Sequence, residues 1–142
     1  MYQYNRQRGF TLIEVMVVVV ILALLAAIIV PKIMSRPEQA RLVKAKQDIL
    51  AVENAMDLYK LDNGSYPTLE QGISALVTKP TQPPVPNDWN GYLKQIPSDP
   101  WGHAYQYTNP GKHGEIDIYS FGPNNANSDP ESKNVIGNWT IK

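Results

Sequence analysis

Glu14 is the residue whose chemistry asks for an explanation. Every side chain from Val15 to Val30 is apolar, and Glu14 is the only charged group between Phe10 and Val30. An ionised carboxylate inside hydrocarbon costs about 2.5–3.5 kcal/mol even on permissive insertion scales, so one that is kept there marks function unless it sits at headgroup depth. It needs a cation, and the apolar run holds none. A cut between Gly9 and Phe10 would create one. Phe10 would then carry a free α-amine, with an ordinary pKa near ~8 and so mostly charged at neutral pH. Glu14 follows four residues later, roughly 6 Å along a helix axis. The amine can meet Glu14 of its own chain, or Glu14 of a neighbour in a staggered array. At ~4 Å and an effective dielectric near 20, such a pair is worth up to ~4 kcal/mol before desolvation is subtracted. Its main effect would be on register, because a mismatched stagger leaves both charges unpaired among apolar groups.

The element that positions this pair is the apolar run itself. Phe10 to Val30 covers 21 residues, which as a helix reach roughly 30 Å, about one bilayer core. The run predicts a transmembrane anchor. A secretory signal has a shorter apolar stretch followed by a small-residue cleavage site. Here the run is long and Pro31-Lys32-Ile33-Met34 follows it, so removal after the run is not expected. Arg6 and Arg8 lie before the run, but Lys32, Arg36, Arg41, Lys44 and Lys46 lie after it. Charge alone therefore leaves the orientation open.

Composition closes several other routes. The 142 residues contain no Cys, so disulfides, cysteine zinc sites and thiol nucleophiles are excluded. Two histidines, His103 and His113, do not make an ordinary zinc site. Thirteen Lys+Arg balance thirteen Asp+Glu, against the basic excess of a nucleic-acid binder. Asp62, Asp99, Asp117 and His103 are the conceivable acid–base groups. They form no catalytic spacing, and turn or cap roles explain Asp62 and Asp99 better. Trp89, Trp101 and Trp139 read as core or loop-pinning side chains.

Past the run, Pro31 removes a backbone donor and should kink or locally break the helix, and Pro37 could do so again. Leu42, Ala45, Ile49, Val52, Met56 and Tyr59 then recur at helical spacing and predict one buried face. Asn63-Gly64 is a stop signal. Thr68–Gln71 has capping-box spacing and predicts a short helix with Leu69, Ile73, Leu76 and Val77 inward. Prolines 80, 83, 84 and 86 force an extended loop, and Asn90-Gly91 a tight turn. Tyr105–Tyr107 and Glu115–Phe121 predict two strands joined through Asn109-Pro110-Gly111, with Ile116 and Ile118 buried and Asp117 and Tyr119 on a wet face. Trp139–Ile141 is a candidate third strand. The resulting layout is α+β: one long N-terminal helix, half membrane-spanning and half amphipathic, packed on a small antiparallel sheet.

Arg8-Gly9-Phe10-Thr11-Leu12-Ile13-Glu14, followed by an apolar helix and Pro31, resembles the class III signal of type IV pilins and pseudopilins. Met56–Asn63, Tyr66-Pro67-Thr68, Gln71-Gly72, Leu93, Pro97-x-Asp99-Pro100-Trp101-Gly102, Asp117-x-Tyr119-Ser120-x-Gly122 and Ile136–Trp139 narrow the resemblance to the major pseudopilin of the type II secretion system. The absence of a C-terminal Cys pair separates the chain from ordinary type IV pilins. The resemblance implies a type IV pilin-like fold, with residues 1–9 as a leader removed after Gly9 by a prepilin peptidase. It implies N-methylation of Phe10, Glu14 as the assembly residue, residues 10–30 as the transmembrane and assembly helix, and residues 31–142 as a periplasmic domain. The implied function is structural and not enzymatic: a homopolymeric pseudopilus at the inner membrane that helps export folded proteins across the outer membrane. Its implied partners are further copies of itself, minor pseudopilins, the prepilin peptidase, the membrane, and an inner-membrane platform with its ATPase. Nucleic acid is not among them.

The same family carries calcium in the loop corresponding to residues 122–135. Here Asn124 and Asn134-Val135 stand where the family has acids, and Asp129 and Glu131 could compensate, so both a calcium site and an ion-free loop stay open. Two other readings also stay open. One is a type IV pilin or a competence pseudopilin that takes up DNA, disfavoured by eleven Lys+Arg against twelve Asp+Glu from Pro31 onward. The other, of a different class, is a signal-anchored periplasmic enzyme or binding protein.

Overall fold

A computed structural model describes residues 9–123, 130, 132 and 134–141, with the side chains of residues 29–35 outside the description. Its elements are a helix α1 (Leu12–Asn63), a 3₁₀ turn (Ile73–Leu76) and three strands, β1 (Gln106–Thr108), β2 (Asp117–Ser120) and β3 (Ile136–Gly137). The chain divides into two compact units at Gln39 and Ala40.

In the first unit α1 is a bare apolar helix. From Val15 to Ile28 the large side chains are each at least half exposed, from Ile21 at 50% to Ile28 at 69%. Among the described residues no helix is long and apolar enough to cross a membrane. The described side chains of the apolar stretch stop at Ile28. α1 does not end at Pro31 or Pro37, so the local break expected there is absent. A proline forfeits one bond of the ladder, and the turns on either side hold the helix together.

The second unit carries the core. Ala45, Ile49, Val52, Met56 and Tyr59 of α1 are buried, as their spacing requires. Leu42, expected on that face, is 37% exposed and lies just outside the contact. These side chains meet Ile73, Ala75 and Leu76 from the 3₁₀ turn and Tyr105, Tyr107, Ile116, Ile118 and Ile136 from the sheet region. α1 stops at Asn63 because Gly64 turns left-handed, with φ 81°, and its N–H closes on Lys60 O at 2.7 Å.

The sheet is an antiparallel meander in the order β1-β2-β3, with Tyr107 opposite Ile118 and Ser120 opposite Ile136. Three expectations need correction. The third strand is Ile136–Gly137, because Trp139 and Thr140 turn back: Thr140 N–H donates to Gly137 O at 2.9 Å, and Gly137 N–H donates to Thr140 Oγ1 at 3.1 Å. β2 has no wet face, since Asp117 and Tyr119 are as buried as Ile116 and Ile118. It is the central strand, and loops cover its second side. Leu69 is 59% exposed. The capping box does form, with Thr68 N–H donating to Gln71 Oε1 at 3.1 Å and Gln71 N–H to Thr68 Oγ1 at 3.2 Å. It leads into turns and then a tighter 3₁₀ segment whose period aims Ile73 and Leu76 inward.

Candidate functional site

The start of α1 is built around Glu14. Leu12 is the first helical residue, so Thr11 is the N-cap and Glu14 the third residue of the helix. Thr11 N–H donates to Glu14 Oε2 at 2.9 Å, Thr11 Oγ1 donates to the same oxygen at 3.1 Å, and Glu14 N–H donates back to Thr11 Oγ1 at 3.3 Å. This is a reciprocal capping box. It satisfies two amide donors that the first turn leaves free, and it places the carboxylate at the positive end of the helix dipole. The arrangement gives Glu14 one fixed orientation. A carboxylate has roughly four lone-pair positions, so the two donors on Oε2 leave it able to accept from an ammonium as well.

Gly9 and Phe10 precede the helix and are both exposed, Phe10 at 87%. The Gly9-Phe10 bond is therefore accessible and non-helical, directly before the cap. Arg6 and Arg8 lie outside the described residues, and Pro31 lies within α1. Sequence reasoning singled out Gly9, Phe10 and Glu14 but missed Thr11. The signal was present, because Thr-x-x-Glu directly before an apolar run is itself a helix-start pattern.

A second polar constellation fastens the C-terminal segment to the sheet and helix. Buried Asn138 donates through Nδ2 to Glu53 Oε1 at 3.0 Å and to Ile116 O at 3.2 Å. Its Oδ1 accepts from Ile118 N–H at 3.2 Å, and its own N–H donates to Ile118 O at 3.0 Å. One amide thus ties together α1, β2 and the chain leaving β3. At the other end of the 122–135 loop, buried Asp99 accepts from Ser120 Oγ at 2.6 Å, from His103 N–H at 2.7 Å and from Trp101 N–H at 3.1 Å. Ser120 Oγ in turn accepts from Gly122 N–H at 3.0 Å. A Cβ at Gly122 would come within 3.0 Å of Asn134 O, so the two ends of the loop meet.

Asn124, Asp129 and Glu131, candidate calcium donors, lie outside the described residues, whereas Asn134 is described and exposed. Among the described residues no group of three or more His, Asp or Glu could hold a metal. Asp117 is engaged as a turn anchor, accepting from Lys112 N–H at 2.7 Å and from His113 N–H at 3.2 Å. The His113 ring stacks on Trp139 at 3.9 Å. Trp89 pins its loop by donating to Ala75 O at 2.7 Å. These contacts give Asp99, Asp117, Trp89 and Trp139 structural work.

Comparison with known proteins agrees with this layout. The family described as "Prokaryotic N-terminal methylation motif" matches residues 4–30, and "Type II secretion system (T2SS), protein G" matches residues 32–139. The type II secretion system core protein G of Pseudomonas aeruginosa is 54% identical over 139 residues, covering 96% of this chain and 98% of that protein. Its counterpart in Dickeya chrysanthemi is 51% identical over 139 residues, covering 96% and 89%. The crystal structure of the major pseudopilin from the type 2 secretion system of enterohaemorrhagic Escherichia coli matches with a TM-score of 0.68 at 44% identity, covering 77% of this chain and 91% of that one. With a family match over most of its length and relatives about half identical along nearly all of it, the chain belongs to the type II secretion system protein G family.

Proposed function

We propose that the chain is the principal building block of a periplasmic pseudopilus and acts by polymerising, not by catalysis. The observation that carries this is the first unit: a helix whose large apolar side chains are at least half exposed from Val15 to Ile28, with a single carboxylate fixed at its start. An apolar surface that extensive needs lipid or other helices around it. The precursor would sit in the inner membrane through residues 10–30, with the leader cytoplasmic and residues 31–142 periplasmic. Cleavage after Gly9 and methylation of Phe10 leave a charged amine ahead of the Thr11–Glu14 cap. Matching that amine to Glu14 of a neighbour sets the stagger as helices leave the bilayer and bundle. The contact is head-to-tail and does not close, so it yields a filament. Pro31, with no amide to give the preceding turn, is the place where the helix can bend during that transfer. Minor pseudopilins, the prepilin peptidase and an inner-membrane platform with its ATPase are the partners this role requires.

Mass spectrometry of the mature protein tests the reading. Loss of Met1–Gly9 with one methyl on Phe10 supports it, whereas an intact terminus, or cleavage beyond Val30, refutes it. Glu14→Ala should remain inserted and processed yet form no filaments. Normal filaments from that variant under electron microscopy would remove the register role.

For the 122–135 loop, the hydrogen bonds at Asp99, Ser120 and Asn138 support a closure made by the chain itself. Calcium, if taken up, would rely on only two carboxylates, Asp129 and Glu131, helped by the amide oxygens of Asn124 and Asn134. That is a weak charge complement for an ion that prefers six to eight oxygens.

A further inference from the structure

Two Asn-Gly pairs stand on the chain, Asn63-Gly64 and Asn90-Gly91, and the fold treats them in opposite ways. Asn-Gly is the dipeptide at which a backbone nitrogen most readily attacks the preceding side-chain amide, because glycine adds no Cβ to hinder the approach. At Asn63 every atom the reaction needs is occupied. Nδ2 donates to Tyr59 O and to Tyr92 Oη, both at 3.0 Å, and Oδ1 accepts from Asp88 N–H at 3.2 Å. The attacking nitrogen, Gly64 N, is committed to Lys60 O at 2.7 Å as the last bond of the helix. At Asn90 none of this holds. The residue is exposed, as is Gly91, and both lie outside any helix or strand. Its amide has one long contact, Nδ2 to Asp88 O at 3.4 Å. Gly91 N–H makes no hydrogen bond to the protein among the described residues.

We propose that Asn90 is a site of spontaneous covalent modification, succinimide formation followed by hydrolysis, and that the fold protects Asn63 from the same reaction. Gly91 N gives up its proton to solvent base and bonds to Asn90 Cγ, and Nδ2 leaves as ammonia. Water then opens the ring at either carbonyl to give aspartate or isoaspartate at position 90. One water is consumed and one ammonia released, with no oxidant or cofactor. Either product adds a negative charge beside Asp88. Isoaspartate also lengthens the backbone between Trp89, which holds Ala75 O, and Tyr92, whose N–H holds Leu76 O. The change falls where this loop is tied to the core, so it would mark older subunits with a loosened attachment.

The test is to incubate the full chain in detergent at mildly alkaline pH, digest it at glutamate and locate the acid by electron-transfer fragmentation. Cleavage at Glu70 puts the two asparagines in different peptides. A second arm incubates the chain unfolded in denaturant. The proposal expects Asn90 to convert in the folded protein while Asn63 stays an amide, and both to convert at comparable rates once unfolded. Asn90→Gln should abolish the folded-state reaction. The proposal is overturned if Asn63 keeps pace with Asn90 in the folded chain. It is equally overturned if Asn90 stays intact over a time in which the unfolded chain has converted.

Discussion

Replacing Asn138 by alanine should be one of the most damaging single changes in the second unit, although the residue is polar and lies four positions from the C-terminus. The side chain is 7% exposed and makes three hydrogen bonds, to Glu53, Ile116 O and Ile118 N–H. Glu53 is half-buried and can turn to water. Ile116 and Ile118 are buried, at 4% and 0% exposure, and their backbone groups cannot. A buried group stranded in this way costs about 1–3 kcal/mol, so two of them, partly relieved by relaxation, give about 2–4 kcal/mol. For a domain of this size each kcal/mol moves the melting temperature by about 4–8 °C, so the expected fall is about 8–32 °C. Circular dichroism melts of the full chain in detergent would measure it. Asn138→Asp is the informative companion. It keeps the oxygen that accepts from Ile118 N–H but sets a carboxylate against Glu53, so it should be worse at neutral pH and recover as pH falls through the carboxylate range. A melting temperature for Asn138→Ala within about 3 °C of wild type would refute the idea that this amide fastens the C-terminal segment.

The tyrosines and the loop supply two further tests. Burial pushes the Tyr107 hydroxyl up to about 12 from an ordinary 10.0, and burial first, then the Asp48 and Asp57 carboxylates, raise Tyr105 and Tyr66 as well. The folded state therefore favours the neutral phenol. This contribution is fully present below pH ~10 and is lost as pH climbs from ~10 through ~12, so alkaline unfolding should coincide with phenolate absorbance appearing above pH 10. Phenolate forming at Tyr66, Tyr105 or Tyr107 at pH 10 with the fold intact would contradict the burial assignment. If the chain alone closes the 122–135 loop, chelator should leave the melting temperature unchanged relative to millimolar calcium. A clear drop on chelation would instead assign the loop an ion.

What could be read from the sequence followed the strength of each local signal. The exposed run from Val15, the buried 3-4 spacing from Ala45 to Tyr59 and the stop at Asn63-Gly64 needed only periodicity and one glycine. Thr11 was readable in principle, because Thr-x-x-Glu at the head of an apolar run is a helix-start pattern. The covered face of β2 was not readable. Asp117 looks solvent-facing in an alternating strand, and only the loop that folds over it, donating from Lys112 and His113, makes it buried. Asn138 stood within a segment of the family resemblance, but nothing local showed its fastening role, since its partners lie 20 to 85 residues away along the chain. The third strand was misplaced for a related reason: Trp139 and Ile141 carry strand propensity, but the Gly137–Thr140 turn outweighs it.

The central claim is that a processed amine at Phe10 supplies the positive partner of Glu14 and that this match sets how subunits stack. A high-resolution cryo-electron microscopy map of the assembled filament tests it most directly. The account predicts the methylated Phe10 amine of one subunit within ion-pair reach, ~4 Å, of Glu14 in its neighbour, with Thr11 still capping that carboxylate. A map that placed Glu14 in open solvent, remote from every amine, would contradict it.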